Sequence, residues 1–419
     1  MNKRFTKIVL DNGIRLYVHG DKTMKKHLVS YAVNYGSSGI YSKFNYDGKD
    51  YEVLPGCAHF LEHILLENSK YGNLYTYFRD LKYISNAYTG DIITKFYFSG
   101  VGNIKSSIKK LIDTLENPVF NENDVKDASH AIEEETKRGL DDPYWCALYL
   151  LYRNLYKNMD YTHESLNSIG TEETTKKIDY NMLRLCHNAF YNDENKIITI
   201  TGPFDETEMI NYIKKIYSKI PRHENKVKLF IPDNITEIRK KEDILVRKSV
   251  EDDYLFIGYN NNLKDFSWFE KNNYISYICT VKFSSKTEFY ERLKKDNILV
   301  TGYGSNCDNV FNDGNSSFNF VFIVKDKDKF LKEFEKELKN IDFDEKDFEL
   351  FKKGLISNHI YSLENKYYDY DYLPDQIFRF NEETDYVDRV RNLSFDRFIK
   401  FYNSIDFNNR SIVLLTKEG

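Results

Sequence analysis

The sequence predicts an α+β protein built from two copies of one domain, and three observations carry that prediction. Strand-like and helix-like segments alternate along the whole chain, with only 7 prolines in 419 residues to open long linkers. The order met in the first half returns in the second. Most directly, IDYNMLRLCHNAFYNDENKIITI (178–200) matches LSFDRFIKFYNSIDFNNRSIVLL (393–415) in its apolar positions at a constant offset of 215 residues, although few residues are identical.

The elements follow from local pattern. TKIVL and IRLYVHG read as strands around the turn Asp11-Asn12-Gly13, and LVSYAVNYGS as a third. ITKFYFSGV (93–101) is a strand, and NIKSSIKKLIDTLENPVF an amphipathic helix ending before Pro118. Residues 121–139 form a long helix stopped at Asp141-Asp142-Pro143. The helix at 178–191, the strand at 196–202 and the helix FDETEMINYIKKIYSKI complete the first copy. In the second, SSFNFVFIVK (316–325) is a strand and DKFLKEFEKELKNI a helix. The expected division is a domain at 1–222, a charged linker at 223–250 and a second domain at 251–419.

Composition narrows the function. Apolar content of 41% and charged content of 30% suit a globular protein, and 34 Tyr with 30 Phe suit a well-packed one. The net charge is −5 with lysines interleaved among acids, so no basic face is available for nucleic acid. Five scattered cysteines make a poor disulfide framework. The basic start lacks an uninterrupted apolar stretch, which predicts no secretory signal, and no segment has the length of a membrane span. A cytoplasmic location is expected.

GCAHFLEHILLEN (56–68) carries the chemistry. Residues four apart on a helix share a face, so His59 and His63 can converge on one ion. Glu62 projects beside that ion, where a carboxylate can take a proton from water. The pattern is H-x-x-E-H, the reverse of H-E-x-x-H. Taken alone it leaves two readings open, a metal site or a histidine pair on an ordinary helix face. Phe60, Leu61, Ile64, Leu65 and Leu66 make the segment apolar almost all round, which predicts burial. Buried histidines beside a buried carboxylate need partners, and a metal is one efficient answer.

LPGCAHFLEHILLEN resembles the G-x-A-H-F-L-E-H heart of the M16 peptidases. LDNGIRLYV resembles the opening strand of that family, SNAYTGDIITKFYFSG its N-A-x-T edge-strand segment, and ENPVFNENDVKDASHAIEEETKRGLDDPYW the helix with the third ligand. HESLNSIGTEETTKKIDYNMLRLCHNAFYNDENKIITITGPFD resembles the run that ends the domain, so residues 1 to about 220 are covered. The resemblance is closest to small bacterial members. It implies two homologous α/β-sandwich domains, each a mostly antiparallel sheet with helices packed on it, forming half of a clamshell. It also implies Zn2+ held by His59, His63 and a glutamate of the later helix, with Glu62 activating water. Glu133, Glu134 and Glu135 compete for the third place. Counting back from Asp142-Pro143 and forward from Phe120 selects Glu135, with Glu134 next if the register slips by one.

The family often has a second, supportive glutamate two turns before the ligand; here that position is Ala128, with Asp127 beside it. In the second half FDEKDFELFKKGLISNHIYS (343–362) corresponds to the ligand helix, Glu135 maps onto Asn358, and no H-x-x-E-H occurs. The resemblance therefore implies one metal-binding domain and one that serves as its lid. It also implies an extended peptide substrate added to the sheet edge at Asn86 and Ala87. An Arg and a Tyr from the second domain usually hold the substrate. The expected positions fall at Lys294 and near Val300 or Thr301, and Arg292 and Tyr303 are close enough to substitute.

The expected function is that of a zinc-dependent endopeptidase acting on unfolded peptides or a specific peptide precursor. A homodimer, or a heterodimer with an M16 paralogue, is the expected assembly. The alternative is a weakly active or non-catalytic binding subunit of such a pair.

Overall fold

The structure is a computed structural model that describes residues 5–67, 72–157, 170–230, 236–308, 315–364, 368–380 and 386–417. Its contacts group the chain into two units. The first comprises Met1–Lys137, Glu164–Phe230 and Lys366–Asn381; the second comprises Arg138–His163, Ile231–Asn365 and Glu382–Gly419.

The first unit is built on a six-stranded sheet in the order Thr6–Val9, Arg15–Gly20, Lys196–Gly202, His27–Val33, Thr94–Gly100, Tyr83–Thr89. Only the pairing of Arg15–Gly20 with Lys196–Gly202 is parallel. The second unit has a five-stranded sheet in the order Glu242–Val246, Arg410–Thr416, Asp253–Asn262, Asn315–Val324, Leu299–Asp308, and again only the first pair is parallel. Strand for strand this is the first sheet without its outermost member. The helix–strand echo read from the sequence is present as Tyr180–Phe190 with Lys196–Gly202, and Phe395–Asn403 with Arg410–Thr416. The predicted α+β repeat is thus the observed architecture, with helices packed on mostly antiparallel sheets.

Two features depart from a division drawn along the chain at 1–222, 223–250 and 251–419. The expected linker contains Val227–Leu229, which pairs with Lys43–Tyr46 in the first unit, and Glu242–Val246, an edge strand of the second sheet. Charged residues are tolerated there because an edge strand keeps one side in water. The units also exchange helices. Pro143–Leu155, from the first half of the sequence, belongs to the second unit, and Tyr368–Phe380, from the second half, belongs to the first.

Each exchanged helix is held by specific contacts within its unit. Pro143 opens the first, with Asp142 Oδ1 accepting from the Tyr144 and Trp145 amides. At its other end Asn260 Nδ2 donates to the Leu155 carbonyl at 2.8 Å, and Asn319 Nδ2 donates to the Tyr152 hydroxyl at 3.0 Å. Gly258 on the sheet beneath lets the helix approach: a Cβ there would lie 2.9 Å from Leu155 Cδ1 and 3.0 Å from Leu151 Cγ. Gly258→Val is therefore expected to destabilise the second unit by about 1–3 kcal/mol through overpacking. Trp145 and Trp268, the only two tryptophans, both belong to that unit, so tryptophan fluorescence in urea measures the effect. An unshifted midpoint would show that the helix is not seated on Gly258.

In the first unit, Ile377 and Phe378 of the helix Tyr368–Phe380 pack with Tyr17, Ala32, Ile93 and Ile197 on one face of the sheet. Tyr88 donates to Asp375 Oδ2 at 2.7 Å, and Arg379 pairs with both carboxylate oxygens of Asp91. These bonds fix the hairpin that joins the edge strand Tyr83–Thr89 to Thr94–Gly100.

Candidate metal centre

The motif lies on the helix Cys57–Glu67, whose Cys57, Ala58, His59, Phe60, Leu61, Glu62, Ile64, Leu65 and Leu66 are all buried. Apolar residues on every face leave the helix no solvated side, as the sequence predicts. His59 is 6% exposed and Glu62 5%, so neither side chain relies on bulk water. The third acid comes from the helix Glu122–Leu140, where Val125, Ala128, Ile132 and Thr136 are buried. That buried stripe sets the register.

Glu135 carries its carboxylate to the histidines: Oε1 lies 3.7 Å from His59 Nε2, and Oε2 lies 3.3 Å from His63 Nε2. Glu134 turns outward, 70% exposed, and pairs with Lys137 at 3.0 Å, while Glu133 accepts from Ser129. Among the described residues, one atom from each of His59, His63 and Glu135 lies within 4.8 Å of the other two. Two ligand atoms bound to one tetrahedral zinc at about 2.0–2.2 Å are about 3.4 Å apart, which the 3.3 and 3.7 Å separations bracket. Two imidazoles and one carboxylate are also the donor set of a catalytic zinc that keeps a fourth position open. The residues fit the ion.

Electrostatics divide the site. Burial and the neighbouring His63 lower His59 to about 4, so its imidazole is neutral and ready to ligate. Burial opposes charge on His63 as well, but Glu135 and Glu67 on either side outweigh it and raise the group to about 10. A metal must therefore displace a proton from His63. Burial raises Glu62 to about 7, partly offset by a hydrogen bond from Thr89 Oγ1 to its Oε2 at 2.6 Å.

Thr89 touches Glu62, a contact that sequence reasoning does not supply. It stands in the Asn86-Ala87-Tyr88-Thr89 stretch noted as an edge strand, yet its contact with Glu62 spans 27 residues and has no local signature. Thr94 steadies it from the neighbouring strand, 3.4 Å away, while itself donating to the Tyr35 carbonyl at 2.8 Å.

The strand Tyr83–Thr89 is an edge of the six-stranded sheet and pairs only with Thr94–Gly100 among the described residues. Asn86 and Ala87 lie on it, opposite Tyr97 and Phe96, and Ile84 is 80% exposed. Ala128 is buried in the apolar core, and Asp127 beside it faces outward. In the second unit Arg292 pairs with Glu333 at 2.8 Å, and Lys294 lies over the Tyr290 ring. Tyr303 falls where the strand Leu299–Asp308 shifts register between Gly302 and Gly304; its side chain lies outside the described residues. Of the other histidines, His187 is buried with Nε2 2.8 Å from the Leu115 carbonyl, and His163 lies outside the described residues.

A helix bearing H-x-x-E-H, with a glutamate from a second helix facing both histidines, is the arrangement of an inverzincin site. Comparison with known proteins agrees. The family models described as "Insulinase (Peptidase family M16)" and "Peptidase M16 inactive domain" match residues 48–167 and 177–355. The chain belongs to the M16 peptidase family, as a member of the small bacterial type. It is 28% identical over 244 residues to the uncharacterized zinc protease YmfH of Bacillus subtilis, a match covering 58% of this chain and 54% of that protein. The chain thus spans about half the length of the curated relatives it matches. Its fold is similar to that of a putative M16-like peptidase from Alicyclobacillus acidocaldarius, with a TM-score of 0.88, 19% identity, and 99% and 98% of the two chains covered. A protease from Helicobacter pylori follows with a TM-score of 0.77, 16% identity, and 98% and 99% covered.

Proposed function

We propose that this chain is a zinc-dependent endopeptidase that hydrolyses extended, unfolded peptides or one peptide precursor. The observation that carries this reading is the convergence of His59 Nε2, His63 Nε2 and the Glu135 carboxylate beside the buried Glu62. His59, His63 and Glu135 would hold the zinc. Once bound, the ion would polarise the scissile carbonyl and make the attacking water more acidic.

Every other step belongs to residues of the chain. Glu62, with a proton affinity near neutrality, takes a proton from the attacking water and passes it to the leaving amine. Thr89 holds one carboxylate oxygen so that the other is presented to the reactants. The open edge at Tyr83–Thr89 offers backbone groups to a peptide strand, with Asn86 and Ala87 at the centre of the contact. Arg292 and Tyr303 are proposed as substrate-binding residues, as the family resemblance implies; Arg292 pairs with Glu333 at 2.8 Å. A homodimer, or a heterodimer with a paralogue, is the proposed assembly. Among the described residues no helix is long and apolar enough to cross a membrane, and Cys57, Cys146, Cys186 and Cys279 are free thiols. Those thiols favour a reducing compartment such as the cytoplasm.

The test is zinc content together with cleavage of a quenched peptide library. The wild type is expected to carry one zinc per chain and to cut peptides, whereas Glu135→Ala loses both. Zinc retained in Glu135→Ala would refute the ligand set. A wild type that binds zinc without cutting would favour the second reading, a binding subunit that works with a partner, which the family description "inactive domain" for residues 177–355 supports.

A further inference from the structure

The two proposed histidine ligands are not held alike. Each has one ring nitrogen facing Glu135, and what meets the other nitrogen differs. His59 Nδ1 and His63 Nδ1 are both buried without a hydrogen bond of full geometry, but among the described residues only His63 Nδ1 has a carboxylate beside it. His63 Nδ1 lies 3.4 Å from Glu67 Oε1, one helical turn further along the same helix. Both side chains of this pair are largely sheltered, 17% exposed for His63 and 32% for Glu67.

We propose that Glu67 is a positioning residue for the metal ligand His63: its carboxylate accepts the Nδ1 proton, fixes the tautomer, and aims Nε2 at the ion. This rests on the zinc reading above. A neutral imidazole carries one proton, and placing it on Nδ1 leaves the Nε2 lone pair free to bind metal. A carboxylate behind the ring also makes the ligating nitrogen more basic and limits rotation about the side-chain torsions. Glu67 has no evident local reason to stand where it does. It is the last residue of the helix Cys57–Glu67, where the backbone carbonyls present partial negative charge and an acid is disfavoured. No basic residue in that last turn offsets it. Among the described residues His63 is the basic group beside Glu67, and it lies on the side of Glu67 that faces the helix N-terminus, as side chains four apart do.

Zinc affinity of the full chain, measured by competition with a chromophoric chelator, tests the assignment without recourse to catalysis. Glu67→Leu is expected to weaken zinc binding about 10- to 100-fold. Glu67→Gln, which keeps an acceptor but no charge, should recover most of the loss. Glu134→Leu, which removes an equal charge from an outward-facing position, should bind as the wild type does. Cobalt(II) loaded in place of zinc should show shifted visible bands in Glu67→Leu and wild-type bands in Glu67→Gln. Melting of the metal-free proteins controls for damage to the fold. Wild-type affinity in Glu67→Leu would overturn the proposal, as would Glu67→Gln binding no better than Glu67→Leu, because charge rather than orientation would then be responsible. A wild type that takes up no zinc would instead bring down the zinc reading, and this proposal with it.

Discussion

Glu62→Gln is expected to hold zinc as the wild type does while cleaving peptides about 100- to 10,000-fold more slowly, the range over which a positioned general base acts. Glutamine keeps the shape and can still accept the Thr89 hydroxyl, but it cannot take a proton. The sign of the pH dependence follows from the same residue. The base works as a carboxylate, so activity falls as pH drops through its pKa. Burial places that pKa at about 7 in the metal-free protein, and a cation beside it favours the charged form and pulls it lower. The acidic limb of kcat/KM should therefore lie at or below about 7. Thr89→Val removes a hydrogen bond to the carboxylate and should move the limb upward. A Glu62→Gln enzyme of wild-type rate, or a limb unmoved in Thr89→Val, would remove Glu62 from the proton path.

The second large effect concerns stability. Lys196 is fully buried in the first unit, with Nζ 2.6 Å from Glu116 Oε2 and 3.2 Å from Asp193 Oδ1. Tyr31 and Tyr217 each donate to Glu116 Oε1 at 2.9 Å. Lys196→Met leaves two acids buried without their cation and is expected to cost about 3–5 kcal/mol. Glu116→Gln keeps an acceptor for the tyrosines and should cost less. Both tryptophans lie in the second unit, so far-UV circular dichroism should show an earlier urea transition that tryptophan fluorescence does not share. If neither signal shifts, the buried ion pair contributes nothing to the fold.

Much of this was legible along the chain because it depends on local periodicity. The apolar pattern and the Asp205 cap mark the helix Glu206–Tyr217. The offset of 215 residues between the two helix–strand pairs identifies the repeat. Spacing of three and four residues places His59, Glu62 and His63 on one turn. Counting from Phe120 and Asp142 against the family pattern selects Glu135 over Glu134, and the buried positions Ala128 and Ile132 of its helix agree with that register. Glu67, four residues beyond His63, is equally legible as a neighbour on the same helix face.

By itself, then, the sequence determined the element types and the doubling of the domain, and it placed His59, Glu62 and His63 on one helical turn; Glu135, far along the chain, was reached through the family resemblance. Only the tertiary structure decided the partners. The charged stretch at 223–250 reads as a linker until Glu242–Val246 is seen in parallel register with Ile412–Thr416, a pairing made by backbone groups that any residue carries. The exchange of Pro143–Leu155 and Tyr368–Phe380 is equally silent, because an apolar helix face specifies that it must be covered and not by which sheet. Thr89 met Glu62 only when the edge strand and the motif helix packed together. Local pattern encodes what an element is; contact between distant residues depends on the shape and burial of the whole unit.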